Sequence, residues 1–336
     1  MSKEVAELSR FKNAIKPIMG YYNKSKYHIS YFGGEPLLNW ELIEYTLPKF
    51  KNDPDCSSVV LISNGLLLTQ ERVDFLKNYG CGLSWSFDGL WSSKNRPLAD
   101  GSDSLEEYLK VLPLALQLTN SCKVMVNPYS FDTLSENFDF FINHRIQNPD
   151  FCLVRDSIYN ETDIQKFKFQ ARLLADKIIE YNLNGVECSA GFFTLYTLDT
   201  LAAKLYGKRN HGCFVGVGGL LYATDGTIWP CERFRSARKM CLYDGYDYNW
   251  GDLRFLNSPS VSNPQEYPEC KSCGLYEYCN AGCTFSELRE GKWLVSRPVK
   301  SVCELFRICY AEGLRIYQNA GTKYQDYIHR CLESGG

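Results

Sequence analysis

The sequence has little net charge. Its 37 Lys and Arg nearly balance 39 Asp and Glu over 336 residues, a formal charge of -2. No global positive field draws it to nucleic acid or to an anionic membrane, and neither is expected as a partner. Long apolar runs are missing too. No stretch approaches the roughly 18 apolar residues of a membrane span. The opening MSKEVAELSRFKNAIKPIMG carries charges where a secretory signal would have an apolar core. A soluble, cytoplasmic protein is expected. Disorder and fibrous repeats are excluded by a content of 45% apolar and 14% aromatic residues, enough for a sizeable core and, at this length, two domains.

Cysteine, in contrast, is abundant at 15 residues. Intracellular thiols are held reduced and disulfide scaffolds belong to small secreted chains, so the count suggests metal. The distribution is uneven. Cys56, Cys81, Cys122, Cys152 and Cys188 stand singly beside apolar runs and read as core thiols. From Cys213 onward the density rises, together with glycine and turn residues, as in a small, loop-rich, metal-stapled domain.

Before Cys213 the pattern alternates between strand and helix. Strands are predicted at His28-Phe32, Val59-Ile62, Leu83-Phe87, Lys123-Asn127 and Cys152-Arg155. Helices are predicted at Trp40-Phe50, Gln70-Tyr79, Leu105-Leu118, Thr133-His144 and Thr162-Tyr181. Such alternation argues for a parallel α/β sheet with helical crossovers, either doubly wound or a (β/α) barrel. The first three strands end in GGEP (Gly33-Pro36), SNG (Ser63-Gly65) and SFDG (Ser86-Gly89). Ligands of parallel α/β folds bind at these C-terminal strand ends. In GGEP the glycines let backbone approach a ligand, Glu35 supplies an acceptor for a cationic group, and Pro36 fixes the start of the following helix.

The later cysteines have ligand spacing. Cys213-x12-Gly226-x4-Cys231 precedes Cys270-x2-Cys273-x5-Cys279-x3-Cys283, with Cys303 following. Seven thiolates suit two four-iron clusters or zinc, although zinc usually takes paired Cys-x2-Cys knuckles and only Cys270 and Cys273 form one.

With these motifs the chain resembles the radical S-adenosylmethionine (SAM, AdoMet) enzymes that carry a C-terminal SPASM domain. The likeness runs from about His28 to Cys309 and covers GGEP, an SNG in the place of TNG, SFDG followed by Asn95-Arg96, and every interval of the seven-cysteine signature. It implies a partial (β/α)6 TIM-like barrel over residues 1–200, a SPASM iron-sulfur domain over 201–310 and a helical tail over 311–336. Gly33, Gly34 and Glu35 would contact the amino group of SAM, Ser86 and Arg96 its carboxylate, and Asn64 its nucleoside. Cys213, Cys231 and Cys283 would hold a first auxiliary 4Fe-4S cluster, and Cys270, Cys273, Cys279 and Cys303 a second. Expected partners are a peptide or protein substrate and a reductant such as flavodoxin or ferredoxin.

The anaerobic sulfatase-maturating enzymes of this group have an Asp base directly after the second signature cysteine. Here Glu232 fills that slot, with catalytic base and structural carboxylate both open. Their extra cysteine six residues before the first one corresponds to Gly207. His211, Cys188, Cys241 or an open position are the alternatives for the fourth ligand.

A larger departure is the radical-site motif itself. Radical SAM chemistry needs a cluster held by Cys-x3-Cys-x2-Cys, which cleaves SAM reductively to a 5′-deoxyadenosyl radical. No such motif occurs in these 336 residues. The opening segment resembles the family's first crossover helix, so the barrel is expected to lack its first strand, leaving His28-Phe32 as a sheet edge. Two functions follow. Either this is part of a radical SAM/SPASM enzyme that abstracts hydrogen from a peptide or protein side chain, or it is a noncatalytic iron-sulfur subunit for substrate binding or electron transfer.

Overall fold

The structure, a computed structural model, describes residues 1–154, 159–207, 219–236, 241–250, 268–277, 279 and 300–334. Five strands form one sheet in the order β1-β2-β3-β4-β5: β1 (Tyr27–Tyr31), β2 (Cys56–Ser63), β3 (Gly82–Ser86), β4 (Ser121–Val126) and β5 (Asn148–Leu153). The pairs β1·β2, β2·β3 and β4·β5 are parallel. Helices alternate with them: α1 (Leu8–Tyr21), α2 (Trp40–Lys51), α3 (Gln70–Asn78), α4 (Leu105–Ala115), α5 (Leu134–Asn143) and α6 (Glu161–Leu183). The α/β alternation and its five strands match the sequence expectation. β5 begins at Asn148, before Cys152, while Arg155 at its expected end lies outside the described residues.

Three longer helices follow among the described residues, α7 (Gly191–Tyr206), α8 (Lys300–Asn319) and α9 (Thr322–Ser334). A small antiparallel hairpin of β6 (Leu221–Tyr222) and β7 (Ile228–Trp229) stands between α7 and α8 in the chain.

The chain divides into two compact units, each assembled from separated segments. The first takes Met1–Trp85, Val111–Thr119 and Cys213–Ser262. Its core lies under α1, where Phe11 meets Tyr27, Phe50 and Tyr222 edge to face at ring distances of 5.3, 5.5 and 5.4 Å. The Tyr222 hydroxyl donates to the Val5 carbonyl (2.9 Å), and that of Tyr248 to the Ala14 carbonyl (2.9 Å). An ionic clasp holds α1 to the turn before β2. Lys12 Nζ donates to Asp53 Oδ1 (2.9 Å) and Asp55 Oδ2 (2.7 Å), while the Tyr27 hydroxyl donates to Asp53 Oδ2 (2.7 Å).

The second unit takes Ser86–Lys110, Asn120–Gly212 and Asn263–Gly336. Its core is strongly aromatic. Phe87 stacks on Tyr108 at 5.0 Å, Phe131 on Tyr159 at 5.7 Å, and Phe151 meets Phe141 and Phe192. Helix α8 packs on α6 and α7. A side chain at Gly313 would begin 2.6 Å from Thr197 Oγ1 and 2.7 Å from the Phe193 carbonyl, so α8 and α7 approach closely there.

Candidate functional site

In the first unit the turns after β1 and β2 are built around one carboxylate. Glu35 precedes a short 3-10 turn (Pro36–Asn39), and its Oε1 accepts the Leu37 amide at 2.9 Å. The same oxygen accepts the Ser63 hydroxyl at 2.7 Å, and Oε2 accepts the Asn64 amide at 2.9 Å. Three protein donors therefore occupy a group that the sequence offers as an acceptor for a cationic ligand. An ionised carboxylate has about four acceptor positions, so one remains. Glu35 braces two strand ends and leaves one acceptor position unfilled by the described residues. Gly33 and Gly34 adjoin it, and no protein atom lies within 4 Å of where a side chain on either would begin. Packing does not require them to be glycine, and the space beside them is open to a ligand.

Asn64 is fixed by its neighbours. Its Oδ1 accepts the Leu66 amide (2.9 Å) and its carbonyl accepts the Trp85 indole N–H (2.8 Å). Gly65 has φ +78, and a side chain there would begin 2.8 Å from Trp85 Nε1, so the SNG glycine is required both by conformation and by space. Trp85, buried on β3, is a supporting residue that the motif reading missed. The strand predicted at Leu83-Phe87 contained it but gave no sign of the Asn64 contact.

In the second unit, SFDG and its following Asn-Arg pair form another group. Ser86 ends β3, and its hydroxyl has no hydrogen-bond partner among the described residues. Asp88 is fully buried. Its Oδ1 accepts the Met125 amide (2.8 Å), and its Oδ2 accepts Arg96 Nε (3.0 Å). Burial pushes Asp88 above the usual carboxylate range, with Arg96 and the Met125 amide pulling against it. The lateral Nε of Arg96 is thus spent on Asp88, and its two terminal amino groups have no partner among the described residues. That orientation suits bidentate binding of a carboxylate. Gly89 has φ +61, and a side chain there would begin 2.3 Å from Asn137 Oδ1 and 2.7 Å from Phe141 Cζ. Asn95 and Asn127 complete the group: Asn95 Nδ2 donates to the Met125 carbonyl (3.0 Å), and Asn127 Nδ2 to Asn95 Oδ1 (3.2 Å). Asp88 and Asn127 were missed as site residues, although the Asp of SFDG was the available signal for the first.

Among the thiols, Cys213 and Cys283 lie outside the described residues, as does His211. Cys231 directly follows the β6–β7 hairpin and is half-buried, and Glu232 beside it is exposed. Gly226 forms the hairpin turn at φ +87, with its amide donating to the Ala223 carbonyl (3.0 Å), which explains the glycine of the signature. Gly207 caps α7 in the left-handed conformation. Cys188 is a buried thiol pushed up to about 12, chiefly by burial, and Cys241 hydrogen-bonds the Tyr243 carbonyl at 3.1 Å.

In the second unit, Cys270, Cys273, Cys279 and Cys303 form an interacting set. The Cys273 amide donates to the Cys270 carbonyl (2.9 Å), and the Cys279 amide to the Leu275 carbonyl (2.8 Å). Burial pushes the Cys303 thiol up to about 11, and proximity to Cys279, Cys270 and Cys273 adds to the rise while Arg307 opposes it. Among the described residues no three His, Cys, Asp or Glu side chains converge tightly enough to hold a single metal ion.

No family profile matches the chain. The radical SAM cyclopropyl synthase TigE of Paramaledivibacter caminithermalis is 24% identical over 303 residues, which cover 85% of this chain. The chain spans 60% of that relative's length. Among solved structures, native anSMEcpe with bound AdoMet superposes with a TM-score of 0.70 at 20% identity, covering 94% of this chain and 91% of that one. The same protein with AdoMet and the Cp18Cys peptide gives 0.67 at 20% identity, over 92% and 91%. SuiB of Streptococcus suis gives 0.53 at 16% identity, over 84% and 68%. The chain is therefore similar in sequence to a radical SAM enzyme and shares the fold of anSMEcpe and SuiB.

Proposed function

We propose that this chain binds AdoMet and forms part of a radical SAM/SPASM enzyme that modifies a peptide or protein side chain. The observation that carries the reading is the Arg96 guanidinium, aimed by a buried Asp88, with both terminal amino groups unpartnered among the described residues. Only a planar anion such as a carboxylate makes full use of that arrangement. In the same reading, Glu35 accepts the amino group of AdoMet beside Gly33 and Gly34, Asn64 lies along the nucleoside, and Ser86 shares the carboxylate with Arg96. A relative crystallised with AdoMet and a peptide supports both ligands.

In radical SAM chemistry a reduced iron-sulfur cluster supplies the electron that converts AdoMet to a hydrogen-abstracting radical. The described residues bind, orient and desolvate AdoMet. Cys270, Cys273, Cys279 and Cys303 would hold one auxiliary cluster, and Cys213, Cys231 and Cys283 three ligands of another. Glu232, exposed beside Cys231, is the candidate base toward a substrate thiol or hydroxyl. A flavodoxin- or ferredoxin-type protein would supply electrons.

Isothermal titration of the 336-residue chain with AdoMet tests the reading. Binding is expected, and Arg96→Gln should weaken it roughly tenfold or more, the loss of a charge-assisted pair. Absence of AdoMet binding by the wild-type chain would refute the proposal. A second reading, a noncatalytic iron-sulfur subunit, is favoured by the lack of Cys-x3-Cys-x2-Cys within these residues. The coding sequence upstream of Met1 separates the two. An in-frame motif supports the enzyme, and an unrelated gene supports the subunit.

A further inference from the structure

One cation stands against the second thiol set without being a ligand. Arg307 lies four residues after Cys303 on α8, which places both on one face of the helix. Its Nη2 donates to Cys273 Sγ at 3.5 Å, and its Nη1 bonds Glu304 Oε1. A single guanidinium therefore touches one thiol of the set, while its own counter-ion sits on the adjacent turn. Arg307 and Glu304 are 44% and 40% exposed, so neither is needed to fill the core.

We propose that Arg307 is a positioning residue that raises the reduction potential of an iron-sulfur cluster held by Cys270, Cys273, Cys279 and Cys303, and that Glu304 moderates it. The inference rests on the cluster assignment made under Proposed function. Its physical basis is charge. Reduction adds one electron to a group already anionic from its four thiolates, so a fixed positive charge and an N–H···S bond stabilise the reduced form more than the oxidised one. The Glu304 carboxylate cancels part of that field. In a titration the electron comes from dithionite, which is oxidised; the cluster gains one electron, and no covalent bond is made or broken.

The test is an EPR-monitored redox titration of the full chain, reconstituted anaerobically with iron and sulfide, as wild type, Arg307→Gln, Arg307→Lys and Glu304→Gln. Arg307→Gln should make reduction about threefold less favourable, a midpoint about 28 mV lower at roughly 59 mV per decade for one electron. Solvent screening of a half-exposed pair sets this modest size. Glu304→Gln should move the same midpoint upward, and Arg307→Lys should fall between wild type and Arg307→Gln. A merely structural role gives no such opposed pair of shifts. If Arg307→Gln loses iron, Glu304→Gln alone decides, because it leaves the guanidinium and all four thiols in place. Unshifted midpoints in iron-replete Glu304→Gln and Arg307→Gln overturn the role of Arg307 only. A wild-type chain that takes up no iron overturns the cluster assignment, and this inference with it.

Discussion

Arg96 depends on the residue behind it. Asp88 is raised by burial, so the folded state keeps its proton to higher pH than the unfolded chain does. Stability from this group therefore falls as pH rises from about 3.9, the ordinary Asp value, through the folded one. Urea melts of Asp88→Asn across that interval should show a flatter fall than wild type, and an unchanged slope would count against the assignment. The same variant should weaken AdoMet binding about as much as Arg96→Gln, since an unaimed guanidinium loses its bidentate geometry. Glycines offer a steric comparison. Gly89→Ala meets both a left-handed backbone and the Asn137 and Phe141 side chains, whereas Gly101 has φ +84 in open space. Thermal melts should show about 1 to 2 kcal/mol lost for Gly101→Ala, the backbone cost alone, and clearly more for Gly89→Ala.

Among elements, α1 illustrates the opposite electrostatic sign. Burial would raise Asp53, but the Tyr27 hydroxyl, the Asp55 amide and Lys12 together hold it below the usual carboxylate range. A lowered acid contributes stability that is complete above about pH 3.9 and is lost as pH falls through the folded value. Asp53→Asn should cost about 2 kcal/mol at neutral pH, the scale of hydrogen bonds to a charged group, and should shrink the acid-side loss. Chemical denaturation at the two ends of that range checks both. The strands and the helices between them were legible because each shows one clear period, as in α2, whose buried Ile43, Leu47 and Phe50 share one face. Helix α7 was not. In GFFTLYTLDTLAAKLY, Phe192, Phe193, Tyr196, Thr197, Asp199 and Thr200 are all buried, so its sequence shows no polar face. The start of α8 was hidden for another reason, since Cys303 was read as a ligand in a loop-rich region rather than as a first helical turn. In the candidate site, motif glycines and Glu35 were legible, but the three donors on Glu35 and the Asp88 support depend on which strand ends become neighbours, and no local pattern records that.

For the whole molecule, no described helix is long and apolar enough to cross a membrane. If the seven-cysteine assignment holds, anaerobic reconstitution should give a brown protein with about eight irons, four for each of two clusters. Stoichiometric zinc without iron would refute it. With dithionite and AdoMet, the 336 residues alone should release no 5′-deoxyadenosine, which chromatography of the quenched reaction would reveal. The first compact unit has a further consequence for synthesis. Helix α1 emerges early, yet the tyrosines that hydrogen-bond its flank come 217 and 234 positions later in the chain. Phe11 meets Tyr27 and Phe50 early but must wait for the Tyr222 ring until the later part of the chain has been made. Helix α1 is thus synthesised well before the two tyrosines that complete its packing, and it is a place where a holding chaperone would act during translation.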